Sequence, residues 1–235
     1  MKNILIAITL GLALTACGGS DTPPEKDMTT KELVAAAAAG DKDAMGELER
    51  QVAKKAKAEQ KKMKAAAKDG DPLALFQKTL MSGSGNQERV NTLADAGNPN
   101  AQLWNAMSNR QVSNLSDTDK QKYRSHMEAI AASGDKYKYS TVANAAYPLS
   151  AEAAFQISED KLHGKWLFDT DTQGAIKYLK QAANEGHHGA MYKLAVRYQY
   201  GHDMDKDLTA AKSWLVKSAA AGNRAAKDAL KNWKE

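Results

Sequence analysis

The sequence predicts an all-α fold built from repeated pairs of antiparallel helices. The 235-residue chain is rich in alanine, is only 6% aromatic and has five prolines, and alanine has the highest intrinsic helix propensity. No stretch alternates apolar and polar residues as a half-buried strand does. A local pattern of glycine and alanine recurs along the chain, as expected of stacked repeats. The length fits one or two domains, and 43% hydrophobic with 26% charged residues is ordinary for a globular protein.

Six glycines share the recurring pattern. Each has an alanine three residues before it, and five of the six have another alanine four residues after it. A glycine that ends a helix adopts a positive φ without a steric penalty, and small alanine side chains let two successive helices approach closely. The glycines are Gly40, Gly70, Gly97, Gly134, Gly186 and Gly222, of which Gly134 lacks the second alanine.

The clearest unit of the pattern runs from Gly186 to Gly222, an interval of 36 residues. Apolar residues recur every three or four positions in each half, which predicts two amphipathic helices. The first stripe is Ala190, Leu194 and Tyr198, and the second is Ala211, Trp214, Leu215 and Ala219.

This unit resembles the Sel-1-like repeat, a relative of the tetratricopeptide repeat with the pattern A-x-x-x-L-G-x-x-Y-x-x-G, an aspartate in a loop, and K-A-x-x-W-x-x-K-A-A-x-x-G. Ala195 replaces the glycine after the leucine, and Ala210 replaces the first lysine. The resemblance implies a right-handed superhelical solenoid of antiparallel helix pairs and an adaptor role with protein partners. Ten positions match: Ala190, Leu194, Tyr198, Gly201, Asp207, Ala211, Trp214, Lys217, Ala219 and Gly222.

A degenerate copy of the unit precedes it. Ala153, Ile157 and Gly164 align with the first half, Ala175, Tyr178, Leu179, Ala183 and Gly186 align with the second, and Lys161 stands where the pattern has tyrosine.

We therefore predict a signal peptide at 1–16, a flexible tether at 17–30, degenerate helical repeats at 31–149, and Sel-1-like repeats with a C-terminal capping helix at 150–235. Helices are expected near 31–39, 42–69, 72–82, 87–96, 99–112, 117–133, 137–147, 151–162, 173–185, 188–200, 208–221 and 224–234.

The N-terminus predicts a bacterial lipoprotein. Lys2 precedes an apolar stretch from Ile4 to Leu14, which is too short to span a membrane and is typical of a signal-peptide core. Small residues lead to Cys17, the only cysteine, as in the lipobox where the cysteine is acylated. Gly18 stands where aspartate marks inner-membrane retention, so the resemblance implies a lipid anchor in the inner leaflet of the outer membrane, facing the periplasm. An ordinary signal peptide with an incidental cysteine is the alternative.

No catalytic or metal-binding arrangement is evident, so we predict that the chain is not an enzyme, takes no cofactor and has no metal site. We expect the five histidines, His126, His163, His187, His188 and His202, to lie on the surface. Asp203, Asp205 and Asp207 alternate as in a calcium loop, but Leu208 and Trp214 stand where that loop needs glycine and glutamate. We expect Asp207 to cap the second helix of its repeat instead.

A stripe of lysines is the strongest charged feature. Lys54, Lys57, Lys61, Lys64 and Lys68 recur every three or four residues on one predicted helix. We expect an apolar side opposite them, formed by Leu48, Val52, Ala56 and Met63. The stripe is either a solvated helix face or a contact with an acidic partner or an anionic membrane surface.

The expected function is protein binding, with no nucleic acid and no small-molecule substrate. Tyrosine and arginine are enriched at binding hot spots, and five residues flanking the first stripe of the clearest unit are our candidate partner contacts. The resemblance implies an adaptor in the cell envelope that binds protein partners through a helical-repeat groove, with a role in assembling or positioning a type VI-like secretion apparatus. An immunity protein against a toxin delivered to the periplasm is the alternative, and peptidoglycan binding or hydrolysis is a third. The candidate contacts are Tyr192, Lys193, Val196, Arg197 and Tyr200.

Overall fold

The structure, a computed structural model, describes residues 29–81, 86–109, 115–140, 146–164 and 167–233. The predicted signal peptide, Cys17 and nearly all of the predicted tether lie outside the described residues. Eleven α-helices within those ranges confirm the predicted all-α fold, and no described helix is both long and apolar enough to cross a bilayer. The helices are α1 (Thr30–Ala38), α2 (Lys42–Lys68), α3 (Pro72–Leu80), α4 (Asn86–Asp95), α5 (Pro99–Ser108), α6 (Asp117–Ala131), α7 (Leu149–His163), α8 (Thr172–Asn184), α9 (His188–Tyr200), α10 (Leu208–Ala220) and α11 (Arg224–Lys231).

The chain divides into two compact units between Ala66 and Ala67. The first unit has a small core in which Leu33, Ala37 and Ala44 are buried where α1 meets the start of α2. Helix α1 begins with a capping box, because Thr29 accepts a hydrogen bond from the backbone N–H of Glu32 and the Glu32 carboxylate accepts one from the backbone of Thr29.

Five of the six recurring glycines directly follow the end of a helix, as predicted. All six have a positive φ, between +60° and +97°. At five of the six junctions, the residue directly after the glycine caps the next helix by accepting a hydrogen bond from the backbone N–H of the alanine four residues after that glycine. That alanine is fully or almost fully buried at each of these junctions, so the sequence pattern reports a helix stop, a cap and a close crossing together. The capping residues are Asp41, Asp71, Asn98, His187 and Asn223.

The sixth junction differs, and the helix predicted at 137–147 is wrong. Gly134 opens a short 3₁₀ helix, Gly134–Lys136, and two antiparallel strands follow, β1 (Lys138–Ser140) and β2 (Ala146–Pro148). Tyr139 pairs with Tyr147 in the ladder. Pro148 then precedes α7, where its fixed φ suits the residue before a helix.

The largest core cluster of the second unit extends from α5 to α9. Its largest fully buried side chains come from successive helices and interlock, so this stretch packs as stacked layers. They include Leu103, Met127, Leu149, Ile157, Leu179 and Leu194.

The two predicted repeats are α7 with α8 and α9 with α10. Ile157 and Leu194 occupy equivalent positions and are 0% and 1% exposed. The second helix of each pair begins at an aspartate cap, Asp171 or Asp207, which confirms the predicted role of Asp207. Lys161, at the tyrosine position of the first repeat, reaches Asp171 at 3.0 Å and covers the Phe168 ring, so an ion pair replaces the aromatic contact.

Candidate partner-binding surface

The predicted partner contacts lie on α9. Tyr200 is 62% exposed, and its ring lies 5.7 Å from the His202 imidazole. Lys193 is exposed on the same side of the helix, while Tyr192 and Val196 are half-buried. The ring of Tyr192 packs partly against the core between α9, α10 and α11, so Lys193 and Tyr200 are the most accessible of the five.

Arg197 has a structural contact instead of a free guanidinium. Its Nη1 lies 2.5 Å from the Asp203 carboxylate, and only 15% of its side chain is exposed. Asp203 adopts φ +59°, a left-handed conformation uncommon outside glycine. The ion pair therefore holds the loop after α9 in place. Because its guanidinium is already engaged, Arg197 is less suited than Lys193 or Tyr200 to contact a partner directly.

Helix α7 adds two residues that the sequence argument did not select. The Lys193 ammonium lies 2.5 Å from the Glu159 carboxylate and 5.6 Å from the centroid of the Phe155 ring. Phe155 occupies the position in the first repeat that Tyr192 occupies in the second, and Glu159 occupies the position of Val196. The equivalent positions of the first repeat would therefore have identified both residues from the sequence. We name Phe155, Glu159, Lys193, Val196 and Tyr200 the α7–α9 face.

A buried polar network lies beneath this face at the junction of the two repeats. Glu152 is 6% exposed and accepts hydrogen bonds from the Tyr147 hydroxyl and from the Gln156 amide, both at 2.7 Å. The Nε2 of His187 lies 3.3 Å from the same carboxylate. Burial raises the pKa of Glu152, but hydrogen bonds from His187, Tyr147 and Gln156 outweigh burial and hold that pKa below its ordinary value.

His187 joins the network to helix α9. Its Nδ1 accepts the Ala190 backbone N–H at 3.0 Å, so the ring proton of the neutral tautomer is on Nε2 and points at Glu152. The imidazole stacks on Phe155 with the ring centroids 4.2 Å apart. One side chain thus caps α9, fills the space between the two repeats and supports the face above them.

The expectation that all five histidines lie on the surface is wrong. His187 is 5% exposed, and His126 and His188 are half-buried, whereas His163 and His202 are exposed. Burial lowers the pKa of His188 and of His126. The physical reason at His187 is its position after Gly186, where the other junctions place a capping aspartate or asparagine. In the described ranges, no group of three or more His, Cys, Asp or Glu side chains converges to hold a metal ion.

A second apolar surface lies on α10. Leu208 and Val216 are 46% and 51% exposed and line a groove of about 640 Å³ together with Trp233. Among the residues that the structure describes, the charged ones that line this groove are Lys212 and Lys217. Lys217 lies over the Trp214 ring at 4.4 Å.

Comparison with known proteins matches the two helix pairs to one family. The Sel1 repeat model matches residues 151–187 and 188–223. A Sel1 repeat protein from Oxalobacter formigenes is 23% identical with a TM-score of 0.48, over 62% of this chain and 97% of that one. A protective antigen present in uropathogenic Escherichia coli strains and displaying an SLR fold is 20% identical with a TM-score of 0.49, over 73% of this chain. This chain spans about a third of that antigen, 35% of its length, and no curated protein matches.

The family match and the geometry of the junctions agree on the repeat boundaries. The first matched segment ends at His187 and the second begins at His188, which is the first residue of α9. The chain therefore contains two tandem Sel1 repeats, at residues 151–187 and 188–223.

Proposed function

We propose that this protein is a lipid-anchored adaptor that binds a partner protein of the cell envelope through the α7–α9 face. Sel1 repeats generally mediate protein–protein interaction. The observation that carries the proposal is that Tyr200 and Lys193 are both exposed on α9, a helix whose start is held by the buried Glu152–His187 network. A rigid base lowers the entropy cost of binding, because the contact residues are already positioned.

The chemistry of the face indicates the kind of partner. An exposed aromatic ring, a half-buried valine and an aliphatic lysine stem supply apolar contact, and the Lys193–Glu159 pair supplies one charge of each sign. A tyrosine in such a setting is typical of a binding hot spot. The face therefore suits a folded or helical protein segment with mixed polarity, and the adaptor does not need catalysis for this role.

Cys17 supports the anchor. It follows an apolar signal-like segment and is the only cysteine of the chain, so acylation there would place the repeats in the periplasm at the outer membrane. Metabolic labelling with a fatty acid tests this step: the native chain is expected to take up label, and Cys17→Ser is expected to lose the label. Label on the Cys17→Ser chain would contradict the anchor.

The finer role that we propose is positioning of an envelope secretion apparatus of the type VI kind, which rests on the resemblance alone. Deletion of the adaptor is expected to impair assembly of that apparatus and to leave the susceptibility of the cells to toxin-bearing siblings unchanged. Sensitivity of the deletion strain to such siblings would contradict the adaptor role and favour an immunity protein.

Partner capture tests the α7–α9 face itself. Chemical crosslinking in intact cells, followed by purification through the chain, is expected to recover a partner that is lost with the double variant Lys193→Ala, Tyr200→Ala. The matched control is Lys177→Ala, Lys180→Ala on α8, where both lysines are exposed. Equal capture by the native chain and the α9 double variant would reject this face as the binding surface.

A further inference from the structure

Helix α2 is exposed on every side along its middle. The helix has 27 residues, about 40 Å at 1.5 Å per residue, and each residue from Val52 to Lys62 is exposed. The predicted apolar side is only partly correct: Leu48 packs in the core of the first unit, but Val52 is 40% exposed and Ala56 is also exposed. The segment from Val52 to Lys62 therefore has no packed face opposite its lysines.

The same segment concentrates positive charge. Six lysines and one glutamate lie between residues 53 and 66, a net charge of +5. The glutamate, Glu59, pairs with Lys62 at 3.1 Å, which leaves the stripe uncompensated. Lys54, Lys57, Lys61 and Lys64, which we call the lysine stripe, are all exposed, and none of them is in an ion pair within the described part of the chain.

An exposed helix with this charge pattern is unfavourable in isolation. Like charges three or four residues apart on a helix repel one another, and most of the stability of a protein helix comes from packing of an apolar face. The segment between Val52 and Lys62 has the repulsion without the packing. A negatively charged surface along the lysine stripe would remove the repulsion and stabilise the helix.

We propose that α2 binds along the surface of a bilayer that contains anionic phospholipids, through the lysine stripe. The stripe extends over eleven residues, from Lys54 to Lys64, about 15 Å of helix. A surface with distributed negative charge can meet all four ammonium groups at once. Juxtamembrane lysines are attracted by such a surface. This inference is separate from the adaptor proposal, although an anchor at Cys17, 25 residues before Lys42, would hold α2 near the bilayer.

The residue types favour a membrane over an acidic protein as the occupant. Protein interfaces are enriched in aromatic residues and arginine, and lysine is depleted there. Residues 51–66 contain no aromatic residue and no arginine. Lysine is a compact point charge without the fixed fork of arginine, so it suits a diffuse field better than a specific carboxylate.

The stripe also predicts how the helix binds. Val52, Ala56 and Met63 lie on the side opposite the lysine stripe at 100° per residue, so they turn away from a surface that the stripe contacts. The helix therefore lies on the headgroups without inserting apolar side chains. Binding is expected to depend steeply on ionic strength because exposed charges are screened by salt.

Vesicle binding by the full chain carrying Cys17→Ala, which has no acylation site, tests the proposal. Vesicles of phosphatidylcholine alone are compared with vesicles that also contain about one third phosphatidylglycerol. The apolar N-terminal residues can contact both kinds of vesicle equally. The ratio of the two affinities therefore measures the contribution of the negative lipid charge to binding. We expect stronger binding to the anionic vesicles at low salt, loss of the difference at high salt, and a rise in helix content on binding.

Variants decide whether the lysine stripe is responsible. Lys54→Gln, Lys57→Gln, Lys61→Gln and Lys64→Gln together are expected to lower the preference for anionic vesicles at least about tenfold, and the four Lys→Arg changes are expected to retain it. The matched control carries the Lys→Gln change at Lys177, Lys180, Lys206 and Lys227, which are exposed elsewhere in the chain. Its preference for anionic vesicles is expected to stay within about twofold of that of the native chain. An equal loss in the control, an unchanged preference in the glutamine variant, or binding to an acidic polypeptide without preference for anionic vesicles would overturn the proposal.

Discussion

The two Sel1 repeats and helix α2 use the same amino acids in opposite ways. Most alanines of α7–α10 are buried, as Ala153, Ala190 and Ala211 show with 0% exposure. In the middle of α2 the alanines are exposed between lysines. The repeats gain their stability from tertiary packing, whereas α2 has only its helix propensity and its short local contacts.

This difference separates two kinds of surface. The α7–α9 face is held by a packed core and a buried hydrogen-bond network, so its side chains have defined positions that suit recognition of one partner. The lysine stripe of α2 has charge without a fixed base, which suits a diffuse anionic surface.

Removal of a buried leucine is expected to have the largest effect. Leu194 is 1% exposed within the core of the second repeat, and Leu194→Ala is expected to lower the free energy of unfolding by about 2–5 kcal/mol. The α2 counterpart is Val52→Ala, at a side chain that is 40% exposed, with an expected change below about 0.5 kcal/mol. Chemical denaturation measures both, and similar losses would show that α2 is packed in solution.

Two glycine substitutions are expected to have opposite signs. Gly164 ends α7 at φ +57°, and a Cβ there would lie 2.2 Å from the Thr170 hydroxyl oxygen, so Gly164→Ala is expected to destabilise by about 1–3 kcal/mol. Gly46 is inside α2, and a Cβ there meets nothing closer than 3.9 Å. Gly46→Ala is expected to stabilise by about 0.5–1 kcal/mol. Thermal unfolding measures both, and destabilisation by Gly46→Ala would contradict the open space that the structure shows for a Cβ at this position.

The buried network gives a third test. His187→Asn keeps the type of capping residue found at Asn223 but removes the donor to Glu152 and the stacking on Phe155. We expect a loss of about 1–3 kcal/mol, because a buried carboxylate loses a hydrogen bond. Asp71→Asn, which also retains a cap, is the control and is expected to be close to neutral. Equal unfolding midpoints for the two variants would show that His187 acts only as a cap.

The smallest expected effect is a dependence of stability on pH. Burial lowers the pKa of His188 and His126 in the folded chain, so the unfolded state binds protons first as the pH falls through the ordinary histidine value of 6.5. The free energy of unfolding is therefore expected to fall as the pH drops below that value. His188→Asn is expected to reduce this slope, with His163→Asn at an exposed site as the control. A free energy of unfolding that rises on acidification below pH 6.5 would contradict the lowered pKa of these two histidines in the folded chain.

Local sequence patterns predicted most of the repeat architecture. A glycine with alanines at −3 and +4 contains the helix stop and the close crossing within eight residues, so Gly186 and Gly222 were identified as junctions without tertiary information. The hairpin after Gly134 was missed because β1 and β2 have three residues each, which is too short for an alternating pattern to be visible.

The candidate site was predicted less completely because its contacts join distant segments. Glu152 and His187 are 35 residues apart and meet only when two repeats stack. Arg197 has the residue type of a binding hot spot, yet its partner Asp203 lies six residues away in a loop with an unusual backbone conformation. Residue types were enough to indicate a binding surface on α9. Only the fold showed which side chains of that surface already form contacts within the chain.

Site-specific photocrosslinking in living cells tests the adaptor proposal most directly. A photoreactive amino acid replaces Val196 in the α7–α9 face or Lys177 on α8, and the two chains are compared for covalent adducts after illumination. We predict one dominant protein adduct from position 196 that is absent from position 177 and that disappears when Lys193→Ala and Tyr200→Ala are added. Adducts of equal yield from both positions, or none from position 196, would contradict protein binding by this face.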